Sequence, residues 1–204
     1  STASQQILIN YGIRTIIDLR TIRETLDESD VFADSSKVSY YHYDMMGDMV
    51  SDDTPKDLVR AERIAFAYSQ ILDHRQSSIG EILGRLATPE VLPAIYHCVG
   101  GQDRTGIISA LILGIAGVPE DSVAEDYGLT ARYVVDHYFR EGMPLGILPL
   151  GYTAESYLVD GCPPETMLLM QQHLKERYGG VENYVREVGL SGTEINNLRQ
   201  SILE

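Results

Sequence analysis

Basic residues are scarce: 16 lysines and arginines face 30 aspartates and glutamates, for a net charge of -14. The acids are spread along the chain and form no tail. Such a surface repels nucleic acid and anionic lipid membranes, so neither is an expected partner. It also exerts no long-range pull on a phosphorylated substrate, so any phosphate site has to be a local one. Only two cysteines occur, Cys98 and Cys162. That is too few for a disulfide framework and points to a reducing, cytoplasmic setting, while leaving a single Cys98–Cys162 bridge open. No apolar run is long enough to span a bilayer; the best, Ile107 to Val118, is interrupted by Gly114 and Gly117. No signal-peptide pattern, repeat or low-complexity tract is present. His42, His74, His137 and His173 are scattered without metal-ligand spacing, so neither a metal nor another cofactor is expected.

What is there is an ordinary globular composition, 44% hydrophobic and 23% charged over 204 residues. That length suits a single domain, residues 1–204, with a sizeable core. The chain begins at Ser1 without Met, and an expected reading is that an N-terminal segment has been removed. Gln5 to Tyr11 reads as the end of a helix stopped near Gly12. Arg14 to Arg20 reads as a buried strand followed by a polar turn, and Val38 to Tyr43 as a second strand. Met45 to Asp53 reads as a loop. Thr54 and Pro55 form a helix-start signal for a helix ending near Asp73, with another over Ser78 to Leu86. Val91 to His97, despite Pro93, reads as a central strand. From Arg104 to Ile115 the apolar residues lie nearly all round, which predicts a buried helix. Helices follow at Pro119 to Tyr127, Thr130 to Arg140, Pro164 to Tyr178, Val181 to Val188 and Thr193 to Leu203, the last opened by a capping box from Ser191 to Glu194. Gly142 to Gly151 reads as a loop. The predicted fold class is α/β: a small central sheet with flanking helices and a helix-rich C-terminal half.

The chemistry concentrates in one run, HCVGGQDRTG, residues 97–106, between the third strand and the buried helix. A loop placed there can wrap a tetrahedral oxyanion with inward-pointing amides of Val99, Gly100, Gly101 and Gln102, the glycines permitting the backbone this requires. Cys98 would face those amides, the positive end of the helix and Arg104, which all favour thiolate over thiol. A thiolate attacks phosphorus well and leaves well from a thiophosphate. Arg104 offers a planar fork for two equatorial oxygens, which lysine could not. Thr105 places a hydroxyl where it could donate to the sulfur, and His97 is expected to orient the loop. Asp103 is the first candidate for general acid, with Asp44 and Asp48 in reserve. A lone cysteine at a strand end is usually inert core; the surrounding His, Arg, Thr and glycines argue otherwise. Cys162, beside two prolines, reads as a loop residue, its alternative being a resolving cysteine.

This run resembles the HCxxGKDRTG signature of bacterial protein tyrosine and dual-specificity phosphatases. GIRTIIDLRTIRE, EDYGLTARY and PPETMLLMQQHLKERYGGVENYVREVGLS resemble further stretches of that family, so the resemblance runs from about Tyr11 to the end. It implies a cysteine-phosphatase fold, a phosphocysteine intermediate, Asp103 as the acid and Asp18 near the substrate. Two departures stand out. Gln102 replaces the family's lysine, which is tied to extra phosphates on phosphoinositides, and the usual N-x-R-D stretch ahead of the first helix is missing. The expected activity is hydrolysis of a phosphorylated protein or small phosphomonoester, phosphotyrosine above all. The rivals are an inositol phosphate or phosphoinositide phosphatase, an inactive phosphopeptide-binding module and a sulfur-transfer enzyme.

Overall fold

Short β-branched runs flanked by turns form the sheet, and long amphipathic segments form the helices around it. A computed structural model describes residues 1–47, 55, 57–140 and 152–203. Helix α1 (Thr2–Asn10) ends at Tyr11. Strand β1 (Thr15–Asp18) is followed by helix α2 (Ile22–Asp27) and strand β2 (Ser39–His42). Helices α3 (Arg60–His74) and α4 (Gln76–Leu86) lead through a 3-10 turn at Pro89–Val91 to strand β3 (Ala94–His97). Then come α5 (Asp103–Ile115), α6 (Glu120–Arg140), α7 (Ala154–Asp160), α8 (Pro164–Tyr178), α9 (Val181–Glu187) and α10 (Gly192–Leu203).

The sheet is parallel with order β2-β1-β3, and Asp18 pairs in register with His42 on one side and His97 on the other. All four β1 residues are buried, as expected of a central parallel strand covered on both faces. Alternate side chains serve two cores. Ile16 joins Phe32 and Val38 beneath α1, while Ile17 joins the main core with Ile107, Ile108 and Leu111 of α5. Each such fully buried aliphatic side chain contributes about 1.5–3 kcal/mol. Helix α8 packs against α3 and α6. Among the described residues no helix is long and apolar enough to cross a membrane.

The structure departs from the sequence reading at several places, among them the third strand, which begins at Ala94 and not at Val91. The polar turn after β1 is helix α2, closed by a capping box in which Thr21 and Glu24 bond each other's backbone amides. Helix α3 opens at Arg60, where the Glu62 carboxylate accepts from the Val59 amide at 3.0 Å; Thr54 lies outside the described residues. The two helices expected on either side of Gly128 are one, α6. Glycine is needed at 128 for space, since a Cβ there would lie 2.9 Å from the Pro164 ring. Helix α7, capped by Thr153, was not anticipated. The loop expected over residues 142–151 lies outside the described residues. Pro93, which has no amide to donate to a ladder, sits just before β3.

Candidate active site

Strands β1 and β3 end side by side, and the segment from Cys98 to Gln102 turns from β3 into the first turn of α5. Gly101 takes φ +67°, in the left-handed region. At Gly100 a Cβ would collide with the Tyr138 hydroxyl from α6, so only glycine lets that ring lie against the loop. Cys98 is buried and free, as is Cys162, so the bridge left open by the sequence is not formed. The Thr105 hydroxyl donates to Cys98 Sγ at 3.4 Å. His97 donates from Nδ1 to the Cys98 carbonyl at 3.0 Å. Its Nε2 lies 3.3 Å from Asp30 Oδ2, close enough for an ion pair but without hydrogen-bond alignment.

Arg104 is aimed by partners far away in sequence. Glu24 meets it end-on, accepting from Nη1 at 2.6 Å and Nη2 at 3.0 Å, and the Leu19 carbonyl accepts from Nη1 at 3.5 Å. Guanidinium has five N–H donors in a fixed fork. Those three contacts leave the edge formed by Nε and the second Nη2 hydrogen, which suits two oxygens of one anion. Glu24 is itself held by the Thr21 amide at 2.6 Å and the Thr21 hydroxyl at 2.9 Å. Burial by itself would raise its carboxyl; the Arg104 and Thr21 hydrogen bonds outweigh that and hold it down to about 2.

Asp103 and Arg104 line a cavity of about 570 Å³ with Thr21, Glu24, Arg63 and Tyr68. Asp103 Oδ1 accepts from the Tyr68 hydroxyl at 2.6 Å. A smaller cavity, about 330 Å³, reaches Gly100 and Gly101 from the α6 side; Cys98 lines neither cavity, and Asp103 and Arg104 line only the larger one.

A profile of the tyrosine phosphatase family matches residues 1–204. The chain belongs to this family. It is 28% identical over 207 residues to a tyrosine-protein phosphatase of Nostoc commune, an alignment covering 97% of this chain and 68% of that one. It is also 28% identical over 121 residues to the triple specificity protein phosphatase PtpB of Mycobacterium tuberculosis, covering 54% of this chain and 44% of that one. Membership makes the chain a cysteine-dependent hydrolase of the protein tyrosine or dual-specificity phosphatase type.

The remaining candidate residues of this phosphatase lie as follows. Gln102 is turned inward, donating to the Gly161 carbonyl at 3.1 Å and accepting from the Tyr157 hydroxyl at 2.8 Å. Asp18 is fully buried; its carboxylate accepts from Arg20 Nη2 at 2.7 Å and the Tyr40 hydroxyl at 2.8 Å. Asp44 accepts from the amides of Gly47, Ile22 and Met46. Burial opposes its ionisation, but those amides prevail and keep the carboxyl below its ordinary range, which suits an anchor better than a proton donor. Asp48 lies outside the described residues. Burial pushes the Cys162 thiol up to about 11, a poor state for resolving an oxidised partner. Among the described residues, Asp18, Asp30 and His97 form the one cluster whose donor atoms lie close enough to share a metal ion. The Arg20 guanidinium already occupies the Asp18 carboxylate.

The sequence alone assigns no site role to Glu24, Tyr68, Tyr127 or Tyr138. Only Glu24 had a local signal, the Thr21-x-x-Glu24 capping pattern. It carries a prediction for this phosphatase. Its folded-state carboxyl sits at about 2 against an ordinary 4.5, so the linked stability is complete above pH 4.5 and drains away as pH falls toward 2. Glu24→Gln is expected to flatten that part of a thermal-melt pH profile and to lower neutral-pH kcat/KM roughly tenfold by loosening Arg104. An unchanged acid limb would show that the pair does not form in solution.

Proposed function

We propose that this phosphatase hydrolyses phosphotyrosine in proteins through a phosphocysteine intermediate carried by the loop from Cys98 to Thr105. Cys98 Sγ attacks phosphorus in line, and the ester bond breaks with its electron pair on the tyrosyl oxygen. Asp103 gives that oxygen a proton. Arg104 grips two equatorial oxygens with its open edge, and the amides from Val99 to Gln102 take the rest of the charge. Water then attacks the phosphocysteine, Asp103 takes its proton, and the thiolate leaves with help from the Thr105 hydroxyl. The observation that carries this reading is the joint placement of the Thr105–Cys98 contact and an arginine held end-on with one fork edge open. The inward turn of the Gln102 amide favours a single phosphate over a polyphosphorylated inositol, since the side chain at that position is bonded within the fold and carries no charge.

The test is phosphate release with chelator present from three substrates: a phosphotyrosyl peptide, the matched phosphoseryl peptide and an inositol trisphosphate. Turnover is expected with the phosphotyrosyl peptide at a kcat/KM at least about tenfold above the others. Preference for the inositol phosphate would replace this reading with a phosphoinositide phosphatase. Binding of the peptide without phosphate release would leave a recognition module.

A further inference from the structure

A line of hydrogen bonds runs from Gln102 in the loop through two helices, α6 and α3, and back to Asp103 beside it. Gln102 Nε2 gives one hydrogen to the Gly161 carbonyl, which can only accept, so the nitrogen end of the amide is fixed. Nε2 also donates to the Tyr127 hydroxyl on α6 at 3.3 Å. The Tyr127 and Tyr68 hydroxyls lie 2.9 Å apart, and Tyr68 on α3 reaches Asp103 Oδ1 at 2.6 Å. With Asp103 ionised, Tyr68 donates to it and Tyr127 donates to Tyr68. When Asp103 gains a proton, the chain could reverse only if Tyr127 turned its hydrogen toward Gln102. There it would meet an N–H, which accepts nothing. Reversal would thus strand a hydroxyl in a buried place, at a cost.

We propose that Tyr68, oriented by Tyr127 and Gln102, is a positioning residue that keeps Asp103 Oδ1 an acceptor in both protonation states, so that the exchanged proton rides on Oδ2. This rests on Asp103 being the acid of the reaction above. Oδ2–H breaks as the tyrosyl oxygen leaves phosphorus, and Oδ2 regains a proton from the attacking water; Oδ1 takes part in neither transfer. Burial first, and then the Asp103 charge, push both phenols well above their ordinary range, so each keeps its hydrogen while the enzyme works. The arrangement gives the acid one fixed proton-bearing oxygen and spares it a search between two.

The experiment compares kcat/KM for phenyl phosphate, whose leaving group is basic and needs the acid, with para-nitrophenyl phosphate, whose leaving group needs it less. Wild type, Asp103→Asn, Tyr68→Phe and Tyr127→Phe are measured, with circular dichroism and thermal melts on each. Asp103→Asn should lose about a hundredfold on phenyl phosphate and clearly less on the nitrophenyl ester. Tyr68→Phe should lose roughly tenfold on the first and under about threefold on the second, with Tyr127→Phe smaller in the same direction. Equal loss on both esters for Tyr68→Phe would make it a packing residue and overturn the proposal. So would wild-type rates on both, while leaving-group dependence in Asp103→Asn would still uphold the acid. Equal loss on both esters in Asp103→Asn would instead remove Asp103 from the chemistry. If Tyr68→Phe does not fold, Tyr127→Phe decides: a loss confined to phenyl phosphate supports the relay, and an even loss or none refutes it.

Discussion

Cys98→Ser is expected to lose at least ~10⁴-fold in kcat/KM toward aryl phosphates while still binding them. The substitution replaces sulfur with a smaller oxygen in a buried position, so the loop and its amides should persist. What disappears is the nucleophile: a serine hydroxyl stays protonated at neutral pH. The Thr105 hydroxyl, 3.4 Å from the sulfur, is placed to donate and not to receive. Single-turnover phosphate release, paired with equilibrium dialysis of a phosphotyrosyl peptide, separates the two properties. Residual turnover of more than a few per cent would remove Cys98 from the mechanism. Loss of peptide binding together with turnover would mean that the loop itself had collapsed.

Arg104→Lys keeps the charge and should still cost on the order of a thousandfold, chiefly in kcat. The guanidinium serves three neighbours at once. Glu24 takes both terminal nitrogens, the Leu19 carbonyl takes another hydrogen, and in the proposed reaction the remaining edge grips the phosphoryl oxygens. An ammonium is one point with three donors. Drawn to the Glu24 carboxylate, it would sit away from the transferring phosphoryl group just when the equatorial oxygens spread. Steady-state kinetics with para-nitrophenyl phosphate give the split between kcat and KM. A loss below about tenfold would show that charge alone, without the fork, supports the transition state.

The loop was legible because Cys98, Arg104, Thr105 and the glycines fall within a few residues, where spacing and chemistry can be read together. The sheet was legible for a similar reason: β1 and β2 are apolar or aromatic runs bounded by turn residues, and α5 is apolar on every side. What reaches the loop from elsewhere was hidden. Glu24 lies 80 positions from Arg104, and Tyr68 lies 35 from Asp103. Nothing local distinguishes a tyrosine that packs a helix face from one whose hydroxyl ends on a carboxylate. Gly128 misled in the opposite direction. Two helices are expected on either side of it, whereas in the fold it lies inside one helix and is the gap into which Pro164 fits. The inward turn of the Gln102 amide was hidden as well, because it depends on Tyr127, Tyr157 and Gly161, which only the tertiary fold brings near.

Helix α2 has six residues and buries none of them; its large apolar side chains, Ile22 and Leu26, are 61% and 81% exposed. So short a helix has almost no stability of its own in water. Its order is supplied at its edges, by the Thr21–Glu24 box, by Asp44 on the Ile22 amide and by Arg104. Segments fastened in this way open by local fluctuation at far less free energy than the core requires. Each opening would take the carboxylate from behind the guanidinium and let the fork swing. The aim of Arg104 is thus governed by a small local equilibrium separate from the stability of the domain, and warming would disarm the site while the sheet beneath it is still whole.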